Sequence, residues 1–279
     1  MTTDYTDILS LHDYAIIDRV GLYEEPWHKA LPMTLLMPKL LRSDAEKMPA
    51  LLPLGPQAPY LEELAEDLRT ADEHGFKPLV STLLTVPPET DPARLHWHLT
   101  ACVALQSPQG RATLRYYDPL VFLHLDRVFN AHRYKEYFYG SVVSSWTLRF
   151  QKDWVTLPVP EIEDYEGNPL GLASMLLVGA PQREGLDRIG AINLALALWR
   201  EKTGHPWPGL AEWRVLAAQA DACIAREEKQ HPDANEDELA RNACNKLLHN
   251  EHGPRLISPY MAWTSEATPN QEPDAPDPI

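Results

Sequence analysis

The stretch Arg115-Tyr116-Tyr117-Asp118-Pro119 marks a change from one type of secondary structure to another. Asp118 can accept a hydrogen bond from the first turn of a following helix, and Pro119 suits the first helical position. The residues Arg111–Tyr117 come after the turn Ser107–Gly110, so they predict a strand that pairs antiparallel with the strand before the turn. The sequence therefore predicts a strand–helix corner at residues 115–119, called the corner below.

Each residue of the corner has a structural role in this interpretation. Arg115 can reach Asp118 or a nearby carbonyl group and hold the corner together. Because neighbouring side chains of a strand point to opposite faces, we expect one of Tyr116 and Tyr117 to be buried and the other to face outward. We favour this structural role over direct contact between the corner and a partner.

Upstream of the corner, the sequence predicts strands separated by helices. Tyr14–Val20 is a short β-branched run and predicts the first strand. A helix begins near Pro59, with acidic residues in its first turn and leucines along one face. A strand is expected over Phe76–Leu84. Asp91-Pro92 then predicts a second helix, which passes into a strand near Ala101.

Downstream, the corner leads into a helix that ends near Asn130, and Gly140–Phe150 is strand-like. Three Ala-, Leu- and Glu-rich helices are predicted further on, over 184–202, 209–229 and 235–250. The predicted class is α+β, with an N-terminal mixed α/β lobe that contains a largely antiparallel sheet. The chain is predicted to divide into this lobe at 1–157, a linker at 158–183, an all-helical lobe at 184–263 and a disordered acidic, Pro-rich tail at 264–279.

Composition limits the classes of partner. The chain of 279 residues has 40 acidic and 25 basic residues and a net charge of −15, and it contains no dense run of Lys or Arg. Binding to the nucleic-acid backbone requires such a run, so we expect no nucleic-acid partner.

No apolar stretch approaches the length of a membrane helix, and the N-terminus lacks the pattern of a signal peptide. We therefore expect a cytoplasmic protein with no membrane partner. Three widely spaced cysteines predict buried free thiols: Cys102, Cys223 and Cys244.

The best candidate for a metal site is His96-Trp97-His98, with His124 and Asp126 further along. On a strand the two histidines would face the same side and could share a cation, whereas on a helix they would diverge. Ordinary surface or core histidines are the favoured interpretation. The sequence also lacks the motifs of serine hydrolases and of nucleotide-binding loops. We therefore expect no catalytic residue, no metal and no cofactor.

Binding to other proteins is the remaining class, and tryptophan is the residue type most enriched in binding hot spots. Trp207, which lies between Pro206 and Pro208, is the first candidate for contact with a partner. Trp213 and Trp154 are further candidates. In regular elements, however, a tryptophan more often belongs to the core.

An ordered series of features over Leu11–Phe150 resembles the adaptor, or effector-chaperone, proteins of bacterial type VI secretion systems. The corner, which ends a segment of the form "G…xhRyyDP" over Gly110–Pro119, is the most specific feature. The others are the early strand Tyr14–Asp18, the helix start Ala58–Leu61, a strand end at Ser81, the helix end His98-Leu99 and the pair Tyr139-Gly140.

The resemblance implies a role without catalysis. Such adaptors bind a toxic effector in the cytoplasm and help to load it onto the VgrG spike, with the two lobes sharing the recognition of effector and spike. The family commonly has a basic residue after His-Leu, whereas Thr100 follows Leu99 here. Two alternatives stay open: an immunity protein whose acidity complements a basic toxin, and a metal-dependent enzyme.

Overall fold

The computed structural model describes residues 4–20, 26–162, 175–206 and 209–249. Its strands are β1 (Tyr14–Ile17), β2 (Thr34–Leu35), β3 (Ala50–Pro53), β4 (Val80–Thr85), β5 (Ala104–Ser107), β6 (Gly110–Thr113), β7 (Ser145–Phe150), β8 (Asp153–Pro158) and β9 (Leu176–Leu177). Its α-helices are α1 (Tyr5–Ser10), α2 (Leu61–His74), α3 (Pro92–Val103), α4 (Pro119–Val128), α5 (Ala131–Phe138), α6 (Ala180–Asp187), α7 (Ile189–Thr203), α8 (Leu210–Gln230) and α9 (Glu236–His249). Short 3-10 helices cover Pro26–Ala30 and Lys39–Lys47.

The main sheet has six strands in the order β2-β3-β1-β4-β7-β8, and every neighbouring pair is antiparallel. Strand β1 lies inside the sheet, and Ala15, Ile16 and Ile17 are fully buried. Burial on both faces explains why β1 is apolar without alternation, since an inner strand covered on both sides has no solvent-facing positions.

Helices cover both faces of this sheet. On one face, the leucines of α2 pack with Leu9 of α1 and with Ile17, Leu52 and Leu83 of the strands. On the other face, Trp146 of β7 contacts Phe122 of α4, with 4.6 Å between the ring centroids. The alternation of side chains along each strand therefore produces two separate hydrophobic layers.

A second, smaller sheet has the order β6-β5-β9. Strands β5 and β6 form the hairpin expected around Ser107–Gly110, whereas β5 and β9 are parallel. The sequence assigned 158–183 to a linker, but 175–183 contain β9 and the start of α6, which packs against α4. This part of the linker prediction is therefore wrong. Residues 163–174 lie outside the described residues.

The chain divides into two compact units, Met1–Asn193 and Leu194–Ile279, so the boundary falls within α7. In the second unit, α8 and α9 pack along each other. Glu227 of α8 accepts hydrogen bonds from Asn242 and Lys246 of α9. The predicted tail over 264–279 lies outside the described residues.

The predicted fold class is confirmed: a mixed N-terminal region with a largely antiparallel sheet precedes C-terminal helices. Some boundaries differ from the prediction. Helix α3 continues to Val103 instead of changing to a strand near Ala101, and Ser81 lies near the start of β4 rather than at a strand end. None of the helices in the described part of the chain is long and apolar enough to cross a membrane.

Candidate functional site

The corner begins helix α4 as the sequence predicts. The Asp118 side chain accepts a hydrogen bond from the Leu120 N–H at 3.0 Å, and Pro119 is the first residue of the helix. This capping satisfies one of the N–H groups that a helix start leaves without an intrahelical partner.

The two tyrosines of the corner differ from the expectation. Tyr116 and Tyr117 are both buried, with exposed fractions of 0% and 1%. Strand β6 ends at Thr113, and the Asp118 N–H donates to the Arg115 carbonyl at 2.9 Å, so the tyrosines lie in a turn. The alternation of a strand does not apply there, and the prediction of one outward-facing tyrosine is wrong.

Each tyrosine connects the corner to another element. The Tyr116 hydroxyl donates to the Leu99 carbonyl of α3 at 3.0 Å, and its ring contacts that of Trp146 edge-on. The Tyr117 carbonyl accepts a hydrogen bond from Thr82 of β4 at 2.8 Å. Burial raises the pKa of Tyr117 to about 12, with the nearby Asp18 carboxylate adding to the effect. Both phenols therefore stay neutral near pH 7 and act through packing and hydrogen bonds.

The closest acidic partner of Arg115 is Asp18, which the sequence-based prediction missed. Arg115 Nη2 lies 2.8 Å from Asp18 Oδ2 and 3.4 Å from Asp118 Oδ2. Lys77 Nζ binds the same Asp18 oxygen at 2.5 Å. Asp18, Lys77, Arg115 and Asp118 are called the corner cluster below. A signal for Asp18 does exist in the sequence, because an acidic residue directly after a fully apolar strand is a candidate for a buried, paired charge.

Asp18 is 3% exposed, and its carboxylate is stabilised in the charged form. Burial alone would raise its pKa, but hydrogen bonds from Lys77, from the Val20 N–H and from Arg115 hold the pKa below its usual value. Asp118 shows the opposite balance, because burial raises its pKa more than the attraction of Arg115 lowers it. Within the cluster, Asp18 is therefore the firmly ionised anion that fixes both cations.

A second contact brings α3 against α5. His98 is buried, and its Nε2 atom has no hydrogen-bond partner in the described part of the chain. Burial lowers the pKa of His98 to about 4, although its hydrogen bond to the Tyr137 carbonyl partly opposes this shift. Cys102 donates to the same carbonyl, with 2.9 Å between sulfur and oxygen, and burial raises its pKa. A neutral imidazole and a protonated thiol make this a packing contact, not a nucleophilic pair.

The candidate metal ligands do not converge. His96 and His98 lie on α3, where residues two apart diverge. The His96 ring hydrogen-bonds to the Leu35 carbonyl, and His124 contacts Asn193. No group of three or more potential ligands is suitably arranged among residues 4–20, 26–162, 175–206 and 209–249.

The tryptophan candidates for partner contact have different environments. Trp213 of α8 is only 1% exposed, so as a surface anchor this prediction is wrong, because the α8 face that carries Trp213 is the buried one. Trp154 of β8 is half-buried and packs against the hydrophobic layer of α1 and α2. Trp207 lies outside the described residues.

All three cysteines are buried free thiols, as predicted.

Comparison with protein-family models, with curated proteins and with solved structures finds no match for this chain.

Proposed function

We propose that this chain is a cytoplasmic adaptor of a bacterial type VI secretion system. In this role it binds a toxic effector and helps to load it onto the VgrG spike. The resemblance over residues 11–150 suggests the role, and one structural observation supports it: four of the segments that carry the resemblance contact one another although they are separated in the sequence.

The contacts connect these four segments pair by pair. Arg115 binds Asp18 at the end of the early strand. Tyr116 binds the carbonyl of Leu99, and His98 packs against Gly140. Short motifs that match a family by chance have no physical reason to be neighbours in the folded chain. Their contact therefore favours the interpretation that these segments belong to one structural unit, which the chain would share with the family.

Co-purification tests the proposal directly. The tagged full-length chain is expected to retain the effector and VgrG whose genes lie next to its own. Deleting its gene is expected to stop delivery of that effector while other secreted effectors are still delivered. Normal delivery of the effector in the deletion strain contradicts the proposal.

An activity assay separates an adaptor from an immunity protein. The purified effector is mixed with a molar excess of the chain, and its toxic activity is measured. An adaptor is expected to form the complex and leave the activity in place once the effector is released. Full and lasting inhibition identifies an immunity protein instead.

A further inference from the structure

Part of the corner cluster faces outward. The side chains of Lys77 and Arg115 are 42% and 44% exposed, whereas Asp18, which both of them bind, is 3% exposed. Both cationic groups approach the same Asp18 oxygen, so they are close neighbours. The surface therefore presents two adjacent cationic groups, whose charge is partly offset by Asp18 beneath them and by Asp118 beside Arg115.

Exposed apolar side chains flank these cations. Phe76 directly precedes Lys77 and is 66% exposed. Val20 is 38% exposed, and its carbonyl accepts a hydrogen bond from Lys77 at 3.0 Å. The Phe76 ring stacks on the His74 ring with an interplanar angle of 7° and 5.7 Å between centroids. Val20, Phe76, Lys77 and Arg115 are called the Phe76 patch below.

We propose that the Phe76 patch is a docking site for an acidic protein segment that carries a carboxylate next to a large apolar side chain. A carboxylate has two oxygens, each with more than one acceptor position, so one such group can accept hydrogen bonds from both Lys77 and Arg115. An apolar neighbour can cover Phe76 and remove its ring from water.

Charge complementarity determines where such a segment docks. The chain carries a net charge of −15, so most of its surface repels an acidic segment. Lys77 and Arg115 place two exposed cationic groups side by side, and the buried Asp18 already orders both of them, which lowers the entropy cost of binding. Asp118 lies beside Arg115 and is 27% exposed. It disfavours binding of a dense polyanion, because a second negative charge of that ligand would lie close to the Asp118 carboxylate. This inference does not depend on the identity of the partners in the proposed function.

Selection from a phage-displayed library of short random peptides on the full-length chain tests the site without a known partner. Phe76→Glu adds a negative charge at the patch without removing any contact of Asp18. Leu11→Glu is the matched control, because Leu11 is 76% exposed and precedes β1, whereas Val20 follows that strand. Circular dichroism and thermal melts confirm that each variant folds.

Selected peptides are expected to pair Asp or Glu with Phe, Leu or Trp. The Kd of these peptides should rise about tenfold or more for Phe76→Glu. It should remain unchanged for Leu11→Glu. Binding should also weaken in high salt, because exposed charge pairs are screened. Failure to select peptides, selection of peptides without acidic residues, or equal binding to Phe76→Glu overturns the proposal.

Discussion

Gly140 lies so close to the imidazole of His98 that a Cβ atom at this position would be 2.9 Å from Cε1 and 3.3 Å from Nδ1. Gly140 also has a φ of +55°, in the left-handed region that other residues rarely adopt. The turn after α5 can therefore contact α3 only with glycine here, which gives the pair Tyr139-Gly140 a structural reason.

Gly140→Ala is expected to destabilise the protein by about 2–3 kcal/mol, because overpacking adds to the strain of a left-handed alanine. Gly75→Ala is the control: Gly75 has a φ of +73° but nothing within 4 Å of an added Cβ atom. It should cost about 1 kcal/mol, from backbone strain alone. Urea unfolding measures both, and equal losses contradict the steric contact.

His98 is expected to make stability depend on pH. The pKa of a histidine in an unfolded chain is about 6.5, and burial lowers that of His98 to about 4. Between these values the unfolded chain binds a proton that the folded chain does not, so stability falls as the pH decreases from about 6.5 to about 4. The shift corresponds to roughly 3 kcal/mol.

His98→Leu is expected to remove this component, so its unfolding free energy should change less between pH 7 and pH 5 than that of the unmodified protein, by roughly 2 kcal/mol. Leu99→Ala is the control, because Leu99 is fully buried and does not titrate, so its loss should lower stability by about 3 kcal/mol at both pH values. An unchanged pH dependence in His98→Leu contradicts the assignment.

Asp18→Ala is expected to cost about 2 kcal/mol, because it removes the hydrogen bonds that the buried carboxylate accepts from Lys77, Arg115 and the Val20 N–H, whereas the two cations that remain are partly solvated. Glu62→Ala provides the comparison, since it removes an ion pair with Arg69 in which Glu62 is 71% exposed. We expect almost no change there, because solvent screens exposed pairs. Chemical denaturation at neutral pH distinguishes the two, and equal effects contradict a structural role for Asp18.

Trp213→Ala is expected to lower stability by about 3–5 kcal/mol, because its side chain is almost fully buried. Trp97→Ala is the surface counterpart: Trp97 is 44% exposed, and its loss should cost about 1 kcal/mol or less. Thermal unfolding of both variants checks this. A Trp213→Ala variant as stable as the unmodified chain contradicts the burial.

The sequence predicts well those features whose physical cause lies within a few residues. The helix starts at Asp91 and Asp118 are examples, because each aspartate accepts a hydrogen bond from the N–H group two residues later. The hairpin at Ser107–Gly110 is another, since turn chemistry acts locally.

The remaining features depend on distant partners. Tyr116 is buried because Trp146 and Leu99 surround it, and no local pattern indicates this. Asp18 carries a local signal in its place directly after an apolar strand, but its partners Lys77 and Arg115 lie far along the chain, so the sequence does not indicate the pairing. The exposed Phe76 carries no sequence signal either, because the same residue would fit a buried strand.

The bond between Asp18 and Arg115 also has a consequence for synthesis on the ribosome. The two residues are 97 positions apart, and translation adds about 5–20 residues per second. Asp18 therefore leaves the ribosome roughly 5–20 seconds before Arg115 does. During this interval the first strand carries an anion whose arginine partner has not yet been made, so the sheet around β1 can reach its final stability only after the corner has emerged.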